Sequence, residues 1–180
     1  MTEILASIWF AIIQEFSDIA DAAEATRIIV RLLMAILLGA AIGYERETQG
    51  KAAGLRTHML VSLGAAIFVL VPLQSGMPEA DVSRVLQGIV AGIGFLGAGA
   101  IIKLSDHEEV KGLTTAASVW VAAAIGIAAG MGREATAIVS TLAALFILAV
   151  VRRVEKHIEP VKSTQPAGKG TSRSNASSED

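Results

Sequence analysis

The sequence predicts an all-α fold: a polytopic transmembrane helical bundle of about five spans, with an N-terminal interfacial helix and a disordered C-terminal tail. Three observations predict it. The 180 residues are 53% hydrophobic, only 18% are charged, and the charges are bunched. A soluble domain of this length carries more charge and spreads it along the chain. Between the bunches lie uncharged stretches of about the ~20 residues that cross ~30 Å of hydrocarbon at ~1.5 Å per residue.

Those stretches run from Met59 to Pro78, Val85 to Ile102, Gly112 to Gly132 and Ala135 to Val151. A fifth, Ile28 to Tyr44, holds a single charge, Arg31, close enough to its end to snorkel. The predicted spans are 28–44, 57–75, 85–103, 113–131 and 134–151, within a membrane domain of residues 27–152. Residues 1–26 form an N-terminal segment whose apolar run, Ile4 to Ile13, is too short to span and has acidic residues instead of a basic leader around it. Residues 3–25 read as an amphipathic helix on the membrane surface with Trp9 and Phe10 as anchors; a short re-entrant segment is the alternative. Residues 153–180 form a cytoplasmic polar tail, which after Pro160 turns to Lys, Ser, Thr, Gly, Pro and Asn, a composition that cannot bury enough apolar surface to fold.

Basic residues set the expected orientation. Arg46, Lys51 and Arg56 fall in the first loop, Lys103 and Lys111 in the third, and Arg152, Arg153 and Lys156 begin the tail. The alternate loops carry only Arg84 and Arg133, while Arg27 and Arg31 count against the trend amid acidic neighbours. The positive-inside rule then puts the first and third loops and the C-terminus in the cytoplasm and the N-terminus outside. The absence of cysteine removes disulfide and thiolate chemistry, and a net charge of −2 gives no field for nucleic acid.

An ungapped offset of 58 residues lays Leu38–Ile67 on Leu96–Ile125 with ten of thirty positions identical, where composition alone would give three or four. A duplication would pair span one with span three and span two with span four as a parallel repeat. Gly54-Leu-Arg-Thr57 and Gly112-Leu-Thr-Thr115 would then be equivalent corners.

Glycines four apart, at Gly39 and Gly43, Gly88 and Gly92, and Gly126 and Gly130, share one helix face and let backbones approach. They serve packing within the bundle or docking of a partner or second copy. Span three is denser still, with Gly92, Gly94, Gly97 and Gly99 in eight residues, which reads either as a helix break exposing carbonyls or as tight packing. No strand precedes it and no Lys-Ser/Thr follows, so it is not a nucleotide loop.

Charges gather at the expected cytoplasmic face. Glu45 and Arg46 end span one and Arg56 opens span two, which makes a Glu45–Arg56 clamp one reading beside simple solvation and ligand contact. Arg84 opens span three on the outer side, where a lipid phosphate is its default contact. Thr114 and Thr115 are positioned to cap span four. His58 reads as interfacial, without the second ligand a metal site needs. No catalytic triad, carboxylate pair or ligand set converges, so no enzyme, metal or cofactor is expected.

Taken in order, Leu38-Gly-x-x-Ile-Gly-x-Glu-Arg46, Ala53-Gly-Leu-Arg-Thr57, Arg84, Gly92-Ile-Gly-Phe-Leu-Gly-Ala-Gly99 and Gly112-Leu-Thr-Thr-Ala-Ala117 followed by Trp120 resemble the MgtC/SapB family of bacterial inner-membrane proteins. The resemblance covers residues 28–152 and implies a five-helix membrane domain. It further implies a role in magnesium homeostasis, in growth at low Mg²⁺ and in virulence, exerted by restraining the membrane sector of the F-type ATP synthase rather than by carrying the ion. By matching position it marks Glu45, Arg46, Gly54, Arg56, Thr57, Arg84, the 92–99 glycines, Thr114 and Thr115. Many members carry an ACT-like C-terminal domain where this chain has a short polar tail, so regulation through such a domain is not expected. A homo-oligomeric cation transporter or channel is the rival reading; in either case the lipid bilayer is the first partner.

Overall fold

The computed structural model describes residues 2–15, 21–103, 110–151 and 153. The tail, apart from Arg153, and residues 16–20 of the N-terminal segment lie outside the described residues, as do residues 104–109 of the third loop. Six α-helices follow in order: α1 (Thr2–Glu15), α2 (Ala22–Thr48), α3 (Leu55–Gln74), α4 (Glu79–Gly99), α5 (Leu113–Gly130) and α6 (Glu134–Phe146). A π-helical stretch, Ile147–Val151, extends α6, and a two-residue antiparallel ladder joins β1 (Ile102–Lys103) to β2 (Val110–Lys111). Helices α2 to α5 are long and apolar enough to cross a membrane; α6 is a shorter apolar helix.

The N-terminal segment is not one helix over residues 3–25. Helix α1 ends at Glu15, and Asp21 starts the next helix by accepting the Glu24 amide at 2.7 Å. That side-chain bond satisfies one of the orphan donors of the first turn and fixes where α2 begins. The large apolar side chains of α1, Trp9 and Phe10 among them, are exposed.

Helix α3 is the hub. Gly39 of α2 lies over the His58 carbonyl and Ser62, and Gly43 lies over Gly54 and Leu55. From the other side Gly126 of α5 meets the Ser62 backbone and Gly130 meets that of Ala66. These two glycine pairs therefore do pack backbone on backbone, the device that stands in for the hydrophobic force in lipid. The buried core sits on the same seam, with Ala35, Ile42, Ala66, Ile125, Ala129 and Ala137.

Helix α4 departs from both readings of its glycines. It is continuous from Glu79 to Gly99, so no break exposes its carbonyls, and of its glycines only Gly97 makes a contact, an ordinary one with Ala116. Gly88, Gly92, Gly94 and Gly99 have open space where a side chain would project.

The packing repeats with the offset seen in the sequence. Gly39 meets His58 while Gly97, 58 residues on, meets Ala116, 58 residues on from His58. Gly54 and Gly112 occupy the same N-cap position of α3 and α5. Gly112 alone of this pair is left-handed, with φ 96°, and a Cβ there would strike the Ala100 carbonyl, so this corner requires glycine.

At the opposite face Arg31 reaches the end of α5, donating from Nη1 to the Gly130 carbonyl at 3.5 Å. A guanidinium there meets the negative end of the helix dipole. Gly132, at φ 71°, leaves room for it: a Cβ would collide with the Arg31 head group.

Candidate functional site: a closed polar knot at one membrane face

The motif residues of the first loop fold back onto the end of α2. The Arg46 carbonyl accepts the amides of Gln49 and Lys51 at 3.2 and 3.1 Å, and Gly50 closes the turn at φ 63°. The Glu47 carboxylate accepts the Leu55 amide at 2.8 Å, so α3 is capped by a side chain from the preceding helix. Gly54, its N-cap residue, has no side chain to do it.

Inside this corner Arg46 is buried, 3% exposed, and its guanidinium folds back on the carboxylate of Glu45, which is 16% exposed. The expected Glu45–Arg56 clamp is thus corrected: the neighbour in sequence takes the carboxylate, and Arg56 points outward with no ion pair among the described residues. The reason is geometric. Arg46 is held inward by the α2–α3 contact, and a desolvated guanidinium needs the nearest carboxylate.

His58 is fully buried rather than interfacial. Its Nδ1 lies 2.8 Å from the Gly54 carbonyl and its Nε2 3.0 Å from the Ser118 hydroxyl, which lies 2.8 Å from the Thr115 carbonyl. A carbonyl can only accept, so Nδ1 carries a proton. The ring thereby ties the first turn of α3 to that of α5, within electrostatic range of Glu45 and Arg46.

Thr115 is buried on the same seam, while the α5 N-cap is Gly112 without a side-chain bond; the capping role expected of Thr114 and Thr115 is not the one they take. Thr57 and Thr114 are exposed. Arg84 lies at the other face, paired loosely with Asp81 at 3.7 Å. Of the motif residues, then, Glu45, Arg46, Gly54 and Thr115 converge on this corner, and Arg56, Thr57, Thr114 and Arg84 do not. Sequence reasoning missed His58, Ser62 and Ser118. Their signal is the spacing of four between His58 and Ser62 and of three between Thr115 and Ser118, a polar stripe on otherwise apolar helices.

Ser62 Oγ, wedged between Gly39 and Gly126, is the one buried side-chain polar atom among the described residues without a hydrogen-bond partner. A buried unsatisfied hydroxyl costs about 1–3 kcal/mol. Ser62→Ala is therefore expected to keep or raise the thermal midpoint in detergent. A fall of several degrees would show that the hydroxyl is bonded. Chemically the knot is a rigid joint: its donors and acceptors face one another, and no group of three or more His, Cys, Asp or Glu that could hold a metal occurs among the described residues.

A membrane bundle whose central helix is gripped by two glycine faces and latched at one end by the Glu47 carboxylate and by His58 is a polytopic helical membrane protein. Its motifs identify which one. The chain belongs to the MgtC family, whose model matches residues 32–157. It is 41% identical over 140 residues to protein SrpB of Synechococcus elongatus, covering 70% of this chain and 75% of that one. It is 40% identical over 133 residues to the putative magnesium transporter YhiD of Escherichia coli K12, covering 70% of this chain and 61% of YhiD. To protein MgtC of Salmonella typhimurium LT2 it is 42% identical over 130 residues, covering 72% of this chain. The chain spans 54% of that MgtC's length. No solved structure matches it.

Proposed function

We propose that the protein is a non-enzymatic regulator of magnesium and ion homeostasis in the bacterial inner membrane, acting through helix contacts with a partner such as the membrane sector of the F-type ATP synthase. In this reading α6 and its π-helical extension form the fifth span, and the basic residues of the first loop support a cytoplasmic polar knot and C-terminus with the N-terminus outside. The single observation that carries the reading is the closure of the polar knot. Arg46 engages Glu45, His58 engages the Gly54 carbonyl and the Ser118 hydroxyl, and the groove between α3 and α4 is lined by apolar residues throughout. An ion pathway needs polar groups facing a wetted route near the bilayer centre.

A magnesium transporter is the second reading, favoured by the name of the YhiD relative. Purified protein in liposomes loaded with a Mg²⁺-sensitive dye separates the two. The regulator gives no flux above empty vesicles, and Mg²⁺ flux above that level overturns it. Crosslinking in native membranes is expected to recover ATP-synthase membrane subunits, and deletion to impair growth at low Mg²⁺.

A further inference from the structure

Two of the α4 glycines that pack against nothing, Gly88 and Gly92, line one wall of a groove of about 620 Å³ between α3 and α4. Leu60, Gly64 and Phe68 form the α3 wall and Gly88, Gly92 and Leu96 the α4 wall. Each open glycine in a helix interior costs up to ~1 kcal/mol relative to alanine. At Gly88 and Gly92 no intramolecular contact returns that cost, since a Cβ would meet nothing within 4 Å. The groove is the space those missing side chains leave.

Its dimensions choose the occupant. A transmembrane helix ~10 Å across would displace roughly 1,400 Å³ over ~18 Å of length. That exceeds the empty space between α3 and α4, about 1110 Å³, so a helix could lay only part of its surface there. The α3 wall rises eight residues from Leu60 through Gly64 to Phe68, and with the turn back to Arg56 the stretch is about 18 Å. That is close to one leaflet of a ~30 Å hydrocarbon core, the reach of an acyl chain.

Charge chooses the head group. Arg56 stands one turn from Leu60, at the mouth of the groove, exposed and without an ion pair among the described residues. Nearby Glu47 is engaged on the Leu55 amide. At the other end Arg84, one turn from Gly88, already faces Asp81. We infer that the α3–α4 groove is a specific site for an anionic phospholipid of the leaflet at the Arg56 face, its acyl chain between the two helices and its phosphate on the Arg56 guanidinium.

Native mass spectrometry of the full chain in mild detergent tests this with phosphatidylglycerol and phosphatidylcholine of identical chains. Phosphatidylglycerol is expected to bind at least tenfold more tightly. Arg56→Gln should reduce it to the phosphatidylcholine level, Arg84→Gln should leave it unchanged, and Gly92→Leu, which fills open space, should weaken both lipids. Leu60→Trp is a second filler, and a helical circular dichroism spectrum with a monodisperse elution profile shows that each variant folds. Equal binding of the two lipids overturns the proposal, as does unchanged binding in both fillers. Because the chain has no cysteine, Gly92→Cys reports the rival occupant directly. A disulfide-linked dimer in membranes that added phosphatidylglycerol fails to suppress would assign the groove to a second copy.

Discussion

Replacing Gly126 with alanine is expected to unfold the bundle, whereas the same replacement at Gly92 leaves it folded and more stable. A Cβ at Gly126 would sit 2.1 Å from the Ser62 carbonyl oxygen and 2.8 Å from its carbonyl carbon. Both obstacles are backbone of α3, and α3 is pinned on its far side by Gly39 and Gly43. The clash cannot be relieved by a rotamer change, so α5 must move away and the His58–Ser118 bond goes with it. Overpacking usually costs about 1–3 kcal/mol, and a rigid obstacle on both sides puts this case at or above the upper end. At Gly92 nothing lies within 4 Å, so the helix propensity of alanine adds up to ~1 kcal/mol. Gly97, whose nearest neighbour is the Ala116 side chain at 3.6 Å, should fall between them. Thermal unfolding in detergent followed by circular dichroism measures all three. An unchanged midpoint for Gly126→Ala would mean that α3 and α5 are not in backbone contact.

That ordering marks where the sequence stops being informative. Gly88 and Gly92 have the same spacing as Gly126 and Gly130, and spacing alone cannot say that one pair is pressed against backbone while the other faces open space. The four membrane-crossing helices α2 to α5 and the chain order of the helices were legible because hydropathy reports the hydrocarbon thickness directly. Helix ends were legible where a loop begins at once: α5 was expected over 113–131 and runs Leu113–Gly130. They were not where a helix continues into water. Helix α4 starts at Glu79, after Pro78, and its first turns carry Glu79, Asp81 and Arg84, charges that a hydropathy boundary at Val85 excludes. Helix α2 likewise begins six residues before the expected Ile28. In the candidate site the residue types were legible and the pairing was not. Glu45 has a choice between Arg46 and Arg56, and only the direction in which α2 meets α3 decides it. His58 was misplaced because one polar residue near a helix end looks the same whether it faces water or a neighbouring helix.

The pairing of Glu45 with Arg46 carries the second large effect. With Arg46 at 3% and Glu45 at 16% exposure, neither charge is well solvated. Removing one partner of such a pair leaves the other desolvated and uncompensated, at a cost of about 3–5 kcal/mol, whereas removing both is far cheaper. Glu45→Gln and Arg46→Gln are each expected to lower the unfolding midpoint steeply, and the double variant to recover most of the loss. A double-mutant cycle isolates the coupling, and residues in direct contact typically show about 0.5–3 kcal/mol. Additive losses would mean that the two charges do not interact. Exchanging Glu45 with Arg56 provides the contrasting control. Arg56 is outside the pair, so Glu45→Arg combined with Arg56→Glu leaves two guanidinium groups side by side at positions 45 and 46 and should be at least as unstable as Glu45→Arg alone. Rescue by that exchange would instead place Arg56 on the carboxylate.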